Sequence, residues 1–132
     1  MMTATASLDT RLTAHSASAL GVFRILTGLM FTMHGTVKLF GWPTGSPAAM
    51  AAWPMWWAGV LEVILGVLVA IGWHARAAAF VASGMMAVAY FWMHFPAGFW
   101  PVVNGGETAV LYCFAFLLFV FHGPGALRVS RR

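Results

Sequence analysis

Six ionisable side chains interrupt the long apolar stretches of this chain, and they are the residues that could do chemistry: Arg24, His34, Lys38, Glu62, His94 and Glu107. A charged side chain near the centre of a bilayer-spanning helix raises the free energy of insertion by at least about 2.5–3.5 kcal/mol, so each of them needs an explanation. Carboxylates, amines and imidazoles that lie close together can exchange protons with a bound molecule or hold its polar groups. They can also pair with one another and serve only to fix the packing of helices.

A seven-residue repeat in the first apolar segment places its charges on one face. Glycines recur at this interval, and each is followed three positions later by a larger side chain: Gly21 and Arg24, Gly28 and Phe31, Gly35 and Lys38. Small residues in such a seam let a second helix approach closely. His34 precedes Lys38 by four positions, which is about one turn on nearly the same face. We therefore expect the charges to point into a helix bundle.

The second apolar segment repeats this arrangement around a single carboxylate. Gly59, Glu62 and Gly66 lie at positions i, i+3 and i+7. Nine helical rises place Glu62 roughly 14 Å from the outer end of the segment. From this depth in an antiparallel pair of helices, we predict that Glu62 pairs with His34 or Arg24.

A second polar group is expected nearer the outer face. By depth, Lys38 lies level with His94, at the end of the third segment, and with Glu107, at the start of the fourth. We predict a Lys38–Glu107 ion pair with His94 and Asn104 beside it.

These positions define two sets of residues. The candidate ligand-binding set combines titratable groups with aromatics below a loop-covered face, and it comprises His34, Lys38, Glu62, His94 and Glu107. The structural polar network comprises Arg24 and Asn104, and a purely structural role is also open for Glu62. No residue is assigned a catalytic role. The imidazoles and carboxylates could ligate a divalent ion, but Lys38 beside them opposes a cation, so we predict no metal site.

The composition indicates the solvent in which these side chains must be positioned. Of 132 residues, 61% are hydrophobic and only 8% are charged, whereas a soluble domain has roughly a quarter of its residues charged. Apolar segments near spanning length lie at about 18–40, 53–73, 76–95 and 106–122. They are too long and too continuously apolar for barrel strands. The sequence therefore predicts an all-α integral membrane protein, a bundle of four transmembrane helices.

The basic residues predict how the bundle is oriented. Arg11 precedes the first segment, Arg76 lies between the second and third, and three arginines follow the fourth: Arg128, Arg131 and Arg132. The positive-inside rule then places both termini in the cytoplasm, as in a multi-pass protein of the cell inner membrane. We expect a flexible cytoplasmic tail over 1–17, the four-helix domain over 18–124 and a basic cytoplasmic tail over 125–132.

Charge and cysteine content exclude several other functions. The sequence pI is near 10.3, but the basic residues are scattered with no stripe, so we expect membrane lipid as a partner and no nucleic acid. Cys113 is the only cysteine, which excludes an internal disulfide or a cysteine-based zinc site. We expect it to be a small packing residue.

The stretch from Arg24 to Gly41, RILTGLMFTMHGTVKLFG, resembles the first helix of the DoxX family of small four-helix bacterial membrane proteins. The family pattern is an Arg, a Gly and a Phe followed by HGxxKLFG. Further matches are Glu62 with Gly66, Arg76-Ala77, His94, Asn104-Gly105-Gly106-Glu107 and Gly123-Pro124-Gly125. After the last of these, many family members continue with Ser-Leu-Asp, whereas here Ala126-Leu127-Arg128 follows.

The resemblance implies a role in membrane redox chemistry. DoxX-like proteins are similar to a subunit of archaeal thiosulfate:quinone oxidoreductase, and some are associated with membrane oxidoreductase complexes that handle thiol or oxidative stress. We therefore expect a small subunit that participates in quinone-linked oxidoreductase activity, with quinone as the molecule bound. The sequence has no haem, flavin or iron–sulfur motif of its own, so redox activity would need oxidoreductase partner subunits.

Two alternatives remain open. The first is a non-enzymatic membrane scaffold that recruits soluble oxidoreductases, in which the buried polar network is purely structural. The second is transport of a small solute, which is disfavoured because four helices leave little room for alternating access unless the protein forms a homo-oligomer.

Overall fold

The computed structural model describes residues 4–129, and all the regular structure in that range is helical. Six α-helices follow one another in this part of the chain: α1 Ala4–Ala14, α2 Ser16–Phe40, α3 Met55–Ile71, α4 Ala75–Ala89, α5 Pro101–Asn104 and α6 Glu107–His122. Between α4 and α5 the chain forms a π-helical turn, Tyr90–His94, and then a 3₁₀ turn, Phe95–Ala97.

The long helices form an antiparallel bundle. α2 packs against α3, α3 against α4, and α4 against α6. Their common core is made of large aromatic and aliphatic side chains and of small alanines on α4, which let α6 approach: Phe31, Leu65, Val69, Ala78, Ala79, Ala82, Met86, Tyr112, Phe116 and Phe119.

Glycines set the close approach of α2 and α3, as the seven-residue repeat predicted. A Cβ atom added to Gly28 would lie 2.6 Å from the backbone nitrogen of Ala70 and 2.7 Å from the carbonyl oxygen of Gly66. One added to Gly35 would lie 2.6 Å from the carbonyl oxygen of Gly59. These nearest atoms belong to the backbone of α3, which cannot move aside. A larger side chain at Gly28 or Gly35 would therefore force α2 and α3 apart.

The N-terminal region differs from the flexible tail that the sequence predicted. Residues 4–14 form α1, and α2 begins at Ser16, before the apolar segment itself. Alanine and leucine are strong helix formers, and they recur through this stretch. No residue of α1 is buried, so its helical form rests on local propensity. Residues 1–3 and 130–132, the outer parts of the two predicted tails, lie outside the described range.

The third apolar segment ends in an irregular turn because of a proline. Pro96 has no N–H to donate to a carbonyl one turn earlier, and its ring clashes with the i−4 carbonyl of a regular helix. The chain widens instead, so that Phe95 N–H bonds to the carbonyl of Tyr90, five residues back. As a result, His94 turns towards the following loop.

Among residues 4–129, two helices are long and apolar enough to cross a bilayer: α2, with 25 residues, and the continuous run Ala75–Ala97, with 23. The other two long helices are also apolar but shorter, since α3 has 17 residues and α6 has 16. Length and composition thus identify two candidate membrane spans and two shorter apolar helices.

Candidate functional site

An ion pair between α2 and α3 is the centre of the candidate site. Lys38 Nζ donates a hydrogen bond to Glu62 Oε1. Glu62 is buried, with 2% of its surface exposed, while the side chain of Lys38 retains 22%. The predictions that Lys38 pairs with Glu107, and Glu62 with His34 or Arg24, were therefore wrong.

The direction of side chains on antiparallel helices explains the difference. Gly59, one turn before Glu62, packs against the Cβ of Lys38. The backbone positions of Lys38 and Glu62 are therefore about one helical turn apart along the axis of the bundle. Side chains on a helix lean towards its N-terminus. On antiparallel helices Lys38 and Glu62 therefore lean towards each other, and the long lysine side chain closes the remaining gap.

Tyr112 on α6 is a third member of this site, and the sequence analysis missed it. Its ring lies in the core, with centroids 5.4 Å from Phe31 and 5.8 Å from Phe116. Tyr112 lies within electrostatic range of the Glu62 carboxylate. Neither the hydroxyl of Tyr112 nor Oε2 of Glu62 has a hydrogen-bond partner within residues 4–129, although both atoms are buried.

His34 links this group to the surface of α2. Its ring meets that of Tyr112 edge to face, with centroids 5.7 Å apart, and it lies within electrostatic range of Lys38. The imidazole is exposed and lines a shallow depression of about 210 Å³ together with Met30, Met33, Val37 and Pro43. We call His34, Lys38, Glu62 and Tyr112 the polar cluster.

The structure places the other two predicted ligand-binding residues elsewhere. His94 Nδ1 donates to the carbonyl of Asn104 at 3.2 Å, which fixes the turn before α6. Glu107 is exposed in the first turn of α6. The predicted set of five is thus divided between two regions. Within the described residues, no three His, Cys, Asp or Glu side chains come together as metal ligands.

Asn104 organises the loop that carries His94. Its side-chain nitrogen donates to the hydroxyl of Tyr90 at 3.2 Å and to the carbonyl of Gly98 at 2.7 Å. Its side-chain oxygen accepts from Gly106 N–H at 2.8 Å. These bonds hold Pro96 to Gly106 as one compact turn, which is a structural contribution.

Arg24 makes a separate structural contact at the opposite end of the bundle. It is fully buried and donates to the carbonyl oxygens of four residues, one at the end of α3 and three after α6: Ala70, Pro124, Ala126 and Leu127. The backbone of Ala126 also donates to the carbonyl of Ala17 at 2.9 Å. These bonds hold residues 123–129 across the ends of α2 and α3, and we call this segment the strap. The two residues predicted to share one network, Arg24 and Asn104, act at opposite ends.

A wholly apolar cleft of about 400 Å³ lies between α4 and α6. Met86, Phe91, Trp100 and Phe114 are among its lining residues. Cys113 borders it as a half-buried packing residue, and its carbonyl accepts from Ser83 Oγ at 2.9 Å. The cleft offers dispersion contacts, whereas two of the three buried polar atoms without a partner among the described residues, Glu62 Oε2 and the Tyr112 hydroxyl, lie in the polar cluster.

Sequence similarity relates this chain to known proteins. The DoxX family profile matches residues 19–95, which include His34, Lys38 and Glu62. A Haemophilus influenzae protein that carries only the name "uncharacterized protein" is 40% identical over 119 residues, covering 86% of this chain and 89% of that protein. No solved structure matches the chain.

Proposed function

This chain belongs to the DoxX family, and from that premise we propose that it is a small subunit participating in quinone-linked oxidoreductase activity in the cell inner membrane. In this proposal α2, α3, α4 with its turns, and α6 all cross the bilayer, with both termini in the cytoplasm. The polar cluster binds the head group of the quinone. The apolar helices and the family support the membrane setting.

One observation carries the proposal: a nearly fully buried carboxylate in an apolar bundle with one oxygen unpaired. Glu62 Oε1 is held by Lys38, but Oε2 and the nearby hydroxyl of Tyr112 have no partner among the described residues. A buried ion pair is often replaced by apolar residues without loss of stability, so folding alone does not require it. Buried polar atoms are nearly always hydrogen-bonded, and unpaired ones call for an explanation. An oxygen-bearing ring at this position would accept a hydrogen bond from the Tyr112 hydroxyl, and a hydroxyl on that ring could donate one to Oε2.

Each residue of the cluster has a distinct task in this function. Reduction of a quinone takes up two electrons and two protons, and the electrons would come from a partner subunit. Lys38 orients the head group and Glu62 exchanges a proton with its oxygen. The exposed face of α2 at His34 is turned to the bilayer in this arrangement, so a lipophilic ligand approaches laterally. One cysteine cannot ligate an iron–sulfur cluster, which agrees with the need for a partner.

Direct binding tests this function. Purified protein in phosphatidylcholine nanodiscs would be titrated with decyl-ubiquinone, using quenching of its seven tryptophans as the readout. We expect saturable binding that weakens at least about tenfold in Lys38→Met, since the ammonium group donates a charge-assisted hydrogen bond to the quinone carbonyl that is worth about 1.5–3 kcal/mol. Asp9→Asn is the matched control, because it changes an exposed carboxylate on α1. Equal affinities in all three proteins, or no saturable binding, would contradict the proposal.

The strap held by Arg24 favours a second candidate, a membrane scaffold that recruits soluble oxidoreductases. Four hydrogen bonds from one buried arginine fix residues 123–129 at the bundle end that faces the cytoplasm in the proposed topology. Such a rigid surface suits recruitment of a soluble enzyme. In that case replacing Lys38 and Glu62 together by apolar residues leaves the co-purified partners unchanged, whereas a quinone-linked subunit loses its activity.

A further inference from the structure

The two unpaired atoms in the polar cluster have complementary hydrogen-bonding capacity. Because Glu62 is ion-paired with Lys38, its free Oε2 can only accept a hydrogen bond. The hydroxyl of Tyr112 can donate one, and no acceptor within residues 4–129 receives it. The cluster therefore presents one acceptor and one donor that the protein itself leaves unused.

A hydroxyl group has the hydrogen-bonding capacity for both atoms, whereas a carbonyl has it for only one. A hydroxyl donates its hydrogen to Glu62 Oε2 and accepts from Tyr112 through its oxygen. A quinone carbonyl accepts from Tyr112 or Lys38 but leaves Oε2 unpaired beside another oxygen. We propose that the polar cluster recognises the hydroxyl-bearing, reduced form of the ring, a quinol, in preference to the quinone. This inference rests on the proposed function and adds the redox form that the site prefers.

The surroundings of the two atoms fit an aromatic alcohol. The ring of Tyr112 lies against Phe31 and Phe116, so it is held rigidly and its hydroxyl has a fixed position. The same ring contacts that of His34 edge to face, and His34 is exposed in the depression on α2. His34 thus lies between the ring of Tyr112 and the protein surface, where a ring dissolved in the bilayer can approach.

The size of the preference follows from the cost of leaving a buried acceptor unpaired. That cost corresponds to about a 10–100-fold difference in affinity between the two forms. Removing the Tyr112 hydroxyl takes away the donor to the ligand, but it also removes an unpaired buried atom from the free protein. Tyr112→Phe is therefore expected to fold at least as well as the unmodified protein.

The experiment compares two redox forms of one ligand. Decyl-ubiquinol and decyl-ubiquinone would be titrated anaerobically against the full chain in phosphatidylcholine nanodiscs, with the dimethyl ether of the quinol as a ring that lacks both hydroxyl hydrogens. We expect the quinol to bind 10–100-fold more tightly than either of the others. Tyr112→Phe weakens quinol binding by about 5–10-fold. In Glu62→Gln the amide offers both donor and acceptor, so the quinol-to-quinone affinity ratio falls towards 1.

The control variants separate the possible results. Tyr90→Phe removes a tyrosine hydroxyl from the loop region and leaves the ratio unchanged, as does Asp9→Asn. If the quinone binds as tightly as the quinol while Lys38→Met still weakens it, the redox preference is overturned and the proposed function stands. If neither form binds, both fail. A ratio that is unaffected by Glu62→Gln also overturns the preference, whatever Tyr112→Phe shows.

Discussion

The Lys38–Glu62 pair is the individual interaction that most directly separates a structural role from a functional one. Glu62 is almost fully enclosed, and Lys38 is its charged partner. Removing one member of a buried pair leaves the other charge without compensation, which is more damaging than removing both. The pair therefore predicts strong non-additivity in mutants.

A double-mutant cycle on unfolding in detergent tests this. We expect Lys38→Met to lower the free energy of unfolding by at most about 3–5 kcal/mol, since Lys38 is partly exposed, and Glu62→Leu by a comparable amount. The double variant Lys38→Met/Glu62→Leu should regain most of that loss, because an apolar pair packs in its place. Additive single effects would show that the two side chains do not interact in the membrane protein.

The sequence allowed part of the polar cluster to be predicted and not the rest. The seven-residue repeat placed His34 and Lys38 on an interior face, and Glu62 stood out as the lone charge of its segment. The partners were misjudged because depth was counted along straight axes, without the lean of the side chains. Tyr112 gave no signal, because its segment is rich in aromatics and only the packing shows which ring carries an unpaired hydroxyl.

The α2–α3 contact depends on the absence of side chains at Gly28 and Gly35. Around each glycine the nearest atoms are mostly backbone of the facing helix, so they cannot move aside as a flexible side chain would. Gly84 on α4 is different, because a Cβ there would meet nothing within 4 Å. The chain thus offers a matched pair of helical glycines.

Substituting these two glycines by alanine should have opposite effects. Gly28→Ala forces α2 and α3 apart and is expected to lower the free energy of unfolding by about 1–3 kcal/mol. Gly84→Ala only replaces glycine by a better helix former, so it should raise the free energy of unfolding by up to about 1 kcal/mol. Thermal unfolding in the same detergent measures both changes. A Gly28→Ala protein as stable as Gly84→Ala would refute the close packing of this seam.

The helices themselves follow from the apolar runs, and their ends follow less well. The first segment was predicted to begin near residue 18, while α2 begins at Ser16 and α1 precedes it. The third continues past α4 as a π-helical turn, since Pro96 prevents regular hydrogen bonding. Apolar composition decides which segments form the long helices, but local backbone bonding decides where each helix stops.

The whole bundle has two chemically distinct ends. At one end Arg24 and the strap of residues 123–129 close off α2 and α3. At the other end lie the loop of residues 41–54 and the turn built by Asn104. Because the arginines concentrate at the strapped end, we propose that this end faces the cytoplasm.

Cysteine labelling in spheroplasts tests this topology. With Cys113 replaced by alanine, single cysteines at Ser46 and Ala97 should react with a membrane-impermeant maleimide, because both lie in outer loops of the proposed arrangement. A cysteine at Val129 should react only after permeabilisation. Labelling of Val129→Cys in intact spheroplasts would reverse the orientation, and protection of Ala97→Cys would argue against four spans.

The sequence by itself determined the family, the helical class and the apolar character of this protein, because these depend on composition, period and local motif. It also identified Lys38 and Glu62 as unusual, since a charge in an apolar run is visible without any structure. Only the tertiary structure decided that these two pair with each other, that Arg24 holds the C-terminal strap, and that Tyr112 joins the cluster. Those contacts depend on the relative depth and rotation of helices far apart in the chain. Such positions are set by glycine packing and side-chain direction, which no single segment contains.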